Sequence, residues 1–258
     1  MPRVVAVFGA EDAEDFWQGV QTAAKDSGIE VVRVKGDTSA IATYAPQGDA
    51  AAIVYLSSDT QALPDMSIPV YAYAAAGQSV SGGVPYLGYD STTEAQVALE
   101  SAIAYPPHLA PVRMVGLFSG EGSAAFTAWS LAKANGQVFA KREFFADLPD
   151  AVLTDWLNEA FSQLYPGMLD AVYAETGELA IAATQTLASL GRDDLEVFCA
   201  GDCAQVKSKL SPILVCVAGA NEQEAGARCF AEAKLLLDGG TARSGILLPE
   251  AILYSPKP

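Results

Sequence analysis

The two halves of the chain contain the same short segments in the same order, and this repetition restricts the fold more than any single residue does. Four echoes keep their order along the chain: VVAVFG (4–9) and MVGLFS (114–119), DAAAIVY (49–55) and DAVY (170–173), IPVYAY (68–73) and LEVFC (195–199), GYDSTTEA (88–95) and GANEQEA (219–225). Such a chain is expected to form two similar lobes with one ligand crevice between them.

Each half alternates short apolar runs with helical patterns. The predicted strands are 4–8, 30–34, 51–56, 70–74, 114–118, 138–144, 171–174, 196–200 and 213–218. The predicted helices are 12–27, 92–105, 123–135, 151–165, 177–190 and 222–238. Most strands are continuous apolar runs, which is typical of parallel strands covered by helices on both faces. The pattern predicts an α/β fold with two doubly wound parallel-sheet lobes, whose ligands bind beyond the carboxyl ends of the strands.

Three segments are expected to connect the lobes. The proline-rich stretch 105–111 separates the two repeats, and a second crossing is expected near 219–221. A third is expected near Pro249, because the helix 222–238 and the run 244–248 have no place in the sheet of the second half. The predicted domains are therefore 1–107 plus 220–249 and 108–219 plus 250–258, joined by a three-segment hinge.

The composition indicates a globular protein with an acidic surface. Of the 258 residues, 51% are apolar and 18% charged, which argues against disorder. The net charge of -16 disfavours nucleic acid and anionic membranes as partners, since both need a basic face. No apolar run reaches the length of a membrane span. The N-terminal segment lacks the pattern of a secretory signal, so we expect either a cytoplasmic protein or an extracytoplasmic one whose leader is absent from this chain.

Metal, cofactor and catalytic motifs are not found in the sequence. The four cysteines form no CxxC pair and the single histidine, His108, is far from them, so no metal site is predicted. Cys216 and Cys229 are expected to be buried, whereas Cys199 and Cys203 flank a loop and could pair if oxidised. The chain has no GxGxxG, P-loop, GxSxG or HExxH motif, and we expect neither an enzyme nor a bound cofactor.

The order of these segments resembles the type I periplasmic-binding-protein fold, shared by ribose-binding-like receptors of ABC transporters and by effector domains of LacI-type repressors. The resemblance covers nearly the whole chain and rests on arrangement more than on motifs. In the first half, IPV (68–70) is similar to the family's strand before a ligand loop, and YLGYDS (86–91) is similar to the segment in which an Asp precedes a helix near the hinge. In the second half, AVYAETGELA (171–180) is similar to the family's strand-loop-helix, which usually carries Asn-Asp. CAGD (199–202) lies where the family commonly has Gly-x-Asp.

The departures from the family pattern concern charged ligand residues. Sugar receptors of this family usually place Asp-Arg where this chain has Ala74 and Ala75, and an Arg near Phe126. The usual Asn-Asp is replaced by Thr176 and Gly177. The resemblance therefore implies the fold without a ribose-type ligand.

Acidic residues follow several predicted strands and are candidate ligand groups. These are Glu11, Asp12, Glu121, Glu175 and Asp202, with Asp90 and Thr176 added from the resemblance. Their oxygens can accept hydrogen bonds from hydroxyl groups or pair with an amine. Helix capping is the alternative interpretation, because a carboxylate at a helix N-terminus satisfies free N–H groups.

Aromatic and hydroxyl side chains complete the predicted ligand site: Phe16, Trp17, Tyr73, Phe126, Ser57 and Ser119. Aromatic walls with a few polar groups are typical of small-molecule pockets. The alternatives are packing in the core for the aromatic residues and turn formation for the serines. No basic residue falls clearly in the predicted crevice, which favours a neutral polyol, nucleoside-like or amine-bearing ligand over an anionic one.

The sequence thus predicts a solute-binding protein that closes on a small neutral or cationic polar ligand, carbohydrate- or nucleoside-like, and passes it to the permease of an ABC importer. An extracytoplasmic location is expected for this function. The alternative is a cytoplasmic effector-binding domain of a LacI-type regulator or a sensor. A third hypothesis is a member of the fold that has lost its ligand and only contacts other proteins.

Overall fold

Strands and helices alternate along the chain in the order that the sequence predicts. The structure is a computed structural model that describes residues 3–9, 13–34, 50–56, 68–74, 83–88, 91–148, 152–201 and 203–255. Its strands are β1 Arg3–Phe8, β2 Ile29–Val34, β3 Ala50–Leu56, β4 Val70–Ala74, β5 Tyr86–Gly88, β6 Val112–Phe118, β7 Val138–Phe145, β8 Ala171–Ala174, β9 Glu196–Ala200, β10 Leu214–Gly219, β11 Gly245–Ile246 and β12 Glu250–Leu253. Its helices are α1 Glu14–Ala24, α2 Ser91–Ala104, α3 Ala124–Ala134, α4 Leu153–Gln163, α5 Gly177–Ser189, the short α6 Cys203–Val206 and α7 Glu222–Leu237.

The strands form two six-stranded sheets of matching topology. The first has the order β11-β5-β4-β3-β1-β2, and all its neighbours are parallel. The second has the order β12-β10-β9-β8-β6-β7, and only β12 is antiparallel to its neighbour. In both sheets the first strand of the repeat lies between the second and the third, which is a doubly wound order with a switch point beside the first strand. The predicted α/β fold class is confirmed.

The chain divides into two compact units. Unit 1 contains Met1–Asp90 and Ala220–Leu248, and unit 2 contains Ser91–Gly219 and Pro249–Pro258. The chain passes between them three times, after Asp90, Gly219 and Leu248. The sequence analysis expected the second crossing near 219–221 and the third near Pro249.

The first crossing lies earlier than the sequence analysis placed it, which moves residues 91–107 from the first lobe into unit 2. Helix α2 explains the difference, because its buried face (Ala95, Ala98, Leu99 and Ala102) packs with Met114, Tyr173 and Phe198 of the second sheet. The proline-rich stretch follows this helix and leads into β6 within the same unit. Proline content identified a helix end here, but the first crossing precedes that helix.

Each sheet is covered on both faces by apolar side chains. Alternate residues of β1 belong to different clusters: Val5 and Val7 pack with α1 and α7, whereas Ala6 and Phe8 pack with the opposite cluster. The second sheet shows the same alternation between Met114 and Val115 of β6. Because both faces are buried, the strands have the continuous apolar runs seen in the sequence.

Two glycines allow α1 and α7 to cross at very short range in unit 1. A Cβ atom at Gly19 would lie 2.0 Å from the carbonyl oxygen of Gln223, and one at Gly226 would lie 2.0 Å from that of Phe16. Only glycine permits this approach of two helix backbones. This close contact joins α1 to α7, the helix that begins just after the chain returns to unit 1 at the second crossing.

Two buried basic groups lie on unit 2. Arg192 is 8% exposed; it donates to the carbonyl oxygens of Phe161 and Leu164 and, through Nε and Nη2, to both carboxylate oxygens of Asp194. The ring of His108 is 4% exposed. Its Nδ1 lies 2.7 Å from the carbonyl oxygen of Ala102, and its Nε2 lies 3.4 Å from Oε2 of Glu196. Both neighbours are acceptors, so the doubly protonated imidazolium fits this position.

All four cysteines are free thiols, and Cys199, Cys216 and Cys229 are buried. Burial raises the pKa of Cys216 to about 11, which keeps this thiol protonated. Among the described residues, no group of three His, Cys, Asp or Glu side chains could hold a metal ion. No helix within these residues is long and apolar enough to cross a membrane.

Candidate functional site

The carboxyl edge of the second sheet brings two predicted site residues together at its switch point. Ser119 follows β6 and Glu175 follows β8, and these strands are neighbours. The backbone N–H of Ser119 donates to Oε2 of Glu175 at 2.7 Å, and the N–H of Glu175 donates to the carbonyl oxygen of Leu117 at 2.9 Å. The carboxylate is half-buried while Ser119 is exposed. One charged acceptor is therefore fixed at the place where doubly wound folds bind ligands.

Helix caps account for other polar groups at this edge. Ser123 is the N-cap of α3 and accepts a hydrogen bond from the N–H of Phe126 at 3.1 Å. Thr176 is the N-cap of α5 and accepts from the N–H of Leu179 at 3.4 Å. Such side chains satisfy N–H groups that have no partner within the helix. The structure therefore gives the Thr176 hydroxyl a capping role at the position where the sequence suggested a ligand contact.

Phe126 provides an aromatic side chain beside these groups. It is half-buried and lies edge-on to Phe118 and Phe145, with ring centroids 5.1 and 5.0 Å away. This packing fixes the ring on the first turn of α3, while part of it stays accessible. A partly accessible ring held by two aromatic neighbours is suited to contact the apolar face of a sugar or a nucleobase.

Two acidic side chains lie on the adjacent loops. Glu121 is exposed in the turn between β6 and α3. Asp147 follows β7, and its N–H donates to the carbonyl oxygen of Ser119 at 3.0 Å. A Cβ atom at Gly120 would lie 2.5 Å from Oδ2 of Asp147, so this carboxylate packs against the turn. The sequence analysis missed Asp147, although the rule that selected Glu121, an acid in the loop after a strand, applies to it as well.

The described part of this edge carries negative charge only. The turns at 119–123, 146–148 and 175–176 contain Glu121, Asp147 and Glu175 but no Lys or Arg. Anionic ligands would meet unfavourable charge here, whereas hydroxyl and ammonium groups would find acceptors.

In unit 1, two predicted ligand aromatics are core residues instead. Phe16 and Tyr73 have no exposed surface. Phe16 stacks on Tyr73 at 5.0 Å between ring centroids and contacts Tyr55 edge-on at the same distance. Burial against the sheet, the alternative raised from the sequence, explains both rings. Trp17 is half-buried, and its ring lies 5.7 Å from the guanidinium carbon of Arg33.

The switch point of unit 1 lies between β1 and β3. Gly9, directly after β1, has a φ of +74°, and a Cβ atom there would lie 2.4 Å from the carbonyl oxygen of Tyr55. The two strand ends therefore approach each other closely at this point. The remaining predicted site residues lie outside the described residues: Glu11, Asp12, Ser57, Asp90 and Asp202.

Glu222 is a partly buried acid that the sequence analysis did not select. The hydroxyl of Tyr73 donates to its Oε1 at 2.8 Å. Burial is the largest influence and raises the pKa of the Glu222 carboxyl to about 7; the charge of Asp15 acts in the same direction, and the hydroxyl groups of Tyr73 and Tyr55 oppose both. Burial and the charge of Glu222 also raise the pKa of Tyr55, so its phenol stays protonated. The sequence showed only an acid in the first turn of a helix, which normally means capping.

Solved structures with the same arrangement were found, although no protein-family model and no curated protein sequence matches the chain. An ABC-transporter solute-binding protein from Agrobacterium vitis with bound allitol has a TM-score of 0.63 at 16% identity, with 98% of this chain and 95% of that chain covered. The chain has the type I periplasmic-binding-protein fold. The resemblance inferred from the order of the segments is thereby confirmed at the level of the fold.

Two other similar structures show how widely this fold is used. A LacI-family transcriptional regulator from Bifidobacterium animalis subsp. lactis has a TM-score of 0.61 at 16% identity, covering 98% of this chain and 96% of that chain. A chain from the complex of the TorS sensor domain with TorT, without ligand, has a TM-score of 0.68 at 13% identity, covering 98% and 93%. These neighbours are binding, regulatory and sensing proteins, and at such identities they define the fold alone.

Proposed function

We propose that the protein is a solute-binding protein that captures a small neutral or cationic polar ligand, carbohydrate- or nucleoside-like, for an ABC importer. The observation that carries this proposal is the carboxyl edge of unit 2, where the fixed carboxylate of Glu175 and the ring of Phe126 occur without a basic side chain in the described turns. The fold, shared with an allitol-binding receptor, supports a polyol ligand.

Ligand capture by this fold is a shift between conformations. A ligand that interacts with both units in only one conformation favours that conformation by the difference in its binding free energy. Small-angle scattering with and without ligand would report this change as a decrease in the radius of gyration. An extracytoplasmic location and a permease partner are part of the same proposal.

Native mass spectrometry of freshly purified protein is the first test, because a co-purified molecule identifies the ligand class directly. A thermal-shift panel of allitol, myo-inositol, adenosine, spermidine, gluconate and ribose 5-phosphate follows. We expect stabilisation by neutral or cationic compounds, with the gain increasing with concentration. Stabilisation by the acidic compounds alone would overturn the proposed ligand class.

Two variants locate the site on unit 2. Glu175→Gln should weaken binding of the best compound about tenfold or more, since a charged hydrogen bond is worth about 1.5–3 kcal/mol. Phe126→Ala should weaken it about twofold to tenfold, since an aromatic contact is worth about 0.5–1.5 kcal/mol. Glu178→Gln is the matched control, because Glu178 is an exposed acid in the first turn of α5. Equal affinity of all three variants would place the ligand elsewhere.

The second candidate is an effector-binding domain of a regulator or a sensor. The similarity to a LacI-family regulator and to a chain of the TorS–TorT complex favours this alternative. The two functions share the ligand site and differ in the partner. Co-purification from the native host with a permease supports import, and co-purification with a histidine kinase or a DNA-binding segment supports regulation.

A further inference from the structure

Glu222 occupies a special position in the chain, because it opens α7 only three residues after the second crossing between the units. The crossing follows Gly219, and Asn221 caps the helix by accepting a hydrogen bond from the N–H of Glu224 at 3.2 Å. The first turn of α7 is thus the point where the returning chain is attached to unit 1.

The side chain of Glu222 turns inward, whereas Glu224, the other acid of this turn, is exposed. Its Oε1 accepts the hydroxyl hydrogen of Tyr73, whereas its Oε2 is buried and makes no hydrogen bond to a described residue. Tyr73 lies 5.0 Å from Phe16 and 5.1 Å from Tyr55 between ring centroids, so this acid sits next to an aromatic cluster. An ionised carboxylate with a buried oxygen that lacks a donor is costly, and the neutral acid is favoured.

The titratable groups that act on Glu222 come from each element packed around it. Asp15 of α1 contributes negative charge, while Tyr55 of β3 and Tyr73 of β4 contribute hydroxyl donors. Cys229, further along α7, also interacts electrostatically with it. No Lys or Arg is among the described groups that influence this carboxyl, so no cation compensates its ionisation.

We propose that the neutral carboxyl of Glu222 latches the first turn of α7 to the sheet of unit 1, and that ionisation loosens this turn beside the second crossing. The open turn exposes the carboxylate to water, where it has an ordinary acidity. The closed turn binds a proton more tightly than the open one, so acid favours closure. This pH-dependent change depends on residues of unit 1 alone and does not require a ligand.

Linkage defines the pH range of the transition. Between the ordinary pKa of about 4.5 and the folded value of about 7, each pH unit increases the open-to-closed ratio by up to tenfold. Above the folded value both forms are ionised and the ratio no longer changes. The protection of the first turn of α7 should therefore fall at least tenfold between pH 5 and pH 7.5.

Hydrogen exchange measured by mass spectrometry tests the latch on the whole chain. Peptides from residues 219–230 are followed from pH 5 to pH 8.5, with rates corrected for intrinsic exchange, and peptides from α5 serve as the reference in unit 2. The wild type should lose protection up to pH 7.5 and then level off. Glu222→Gln should be nearly independent of pH, because the amide cannot ionise.

Glu224→Gln is the matched control, since Glu224 is an exposed acid in the same turn, and it should follow the wild type. Tyr73→Phe removes the donor to Oε1, which raises the pKa of Glu222 further and should move the levelling-off of the exchange profile to higher pH. This second variant keeps the proposal testable if Glu222→Gln is poorly folded. A wild-type profile without a slope, or the same slope in Glu222→Gln, overturns the proposal. Neither result depends on the ligand, so the proposed function is tested separately.

Discussion

Replacement of Gly226 by alanine tests the close crossing of α1 and α7. The new Cβ atom would lie 2.0 Å from the carbonyl oxygen of Phe16 and 3.0 Å from the nitrogen of Val20. Ordinary contact starts at 3.4 Å, so the two helices would have to separate by about 1.4 Å. The obstacle is backbone, which cannot rotate away as a flexible side chain would.

Two opposing effects determine the magnitude. Overpacking of a well-packed interior costs about 1–3 kcal/mol, and a clash with backbone should lie at the upper end. Alanine gains about 1 kcal/mol over glycine in helix propensity. We therefore expect a net loss of about 2 kcal/mol in the free energy of unfolding of unit 1. With a denaturant slope of about 2 kcal/mol per molar, the urea midpoint falls by about 1 M.

The assay must distinguish the two units. Hydrogen exchange at increasing urea concentrations reads peptides from α1 and α7 for unit 1 and from α5 for unit 2. The midpoint of the first set should fall while that of the second stays in place. Gly122→Ala is the control, because no atom lies within 4 Å of a Cβ atom there. If Gly226→Ala keeps the wild-type midpoint within about 0.2 M, the helices do not cross at this distance.

Three further substitutions test ionisable side chains that are wholly or partly buried. Folding favours the neutral form of Glu222, because the pKa of its carboxyl is raised in the folded protein. The free energy of unfolding should therefore fall by about 3 kcal/mol as the pH rises from 4.5 to 7, and Glu222→Gln should abolish this loss. If the urea midpoints of Glu222→Gln depend on pH as those of the wild type do, this reasoning is refuted. Burial opposes the charged form of His108. The pKa of His108 is nevertheless raised, because hydrogen bonds to Glu196 and to a backbone carbonyl, together with the charges of Glu196 and Asp170, outweigh the effect of burial. The stability that His108 contributes should be complete below pH 6.5 and decline above it, and His108→Gln should flatten this decline in the midpoint of unit 2. Arg192→Met should lower the free energy of unfolding of unit 2 by about 3 kcal/mol, because it leaves buried acceptors without a donor; a loss below about 1 kcal/mol would show that water replaces the guanidinium.

The repeated segments were sufficient to predict the fold because they contain its topological information. VVAVFG and MVGLFS became β1 and β6, which lie between the second and third strands of their sheets. The short strands β5, β11 and β12 were not predicted, since two to four residues give too little periodicity. The first crossing was placed too late because a proline-rich segment has the same composition whether it links two units or ends a helix.

The candidate site was less predictable, because sequence position does not determine which way a side chain faces. Phe16 and Phe126 stand at equivalent points of the two repeats, yet Phe16 is fully buried and Phe126 is half-buried. The N–H of Ser119 donates to the carboxylate of Glu175, whereas Thr176 caps a helix. The fold rule that ligands lie at strand ends selects candidate loops, but burial decides which side chains within them are accessible to a ligand.

The repeat also places a wholly or partly buried acid near a crossing in each unit. Tyr55 of β3 and Tyr173 of β8 are the last residues of the echoed segments DAAAIVY and DAVY; the hydroxyl of Tyr173 donates to the carbonyl oxygen of Ala95, while Tyr55 interacts with Glu222. Each tyrosine thus interacts with the N-terminal part of the helix that follows a crossing. The sequence echo aligns Glu94 with Glu224, but Glu94 is 5% exposed and Glu224 is exposed, so in unit 1 the partly buried acid is Glu222. Two residues of displacement place the acid at the very start of α7, and this is why the pH-dependent latch is expected at the second crossing.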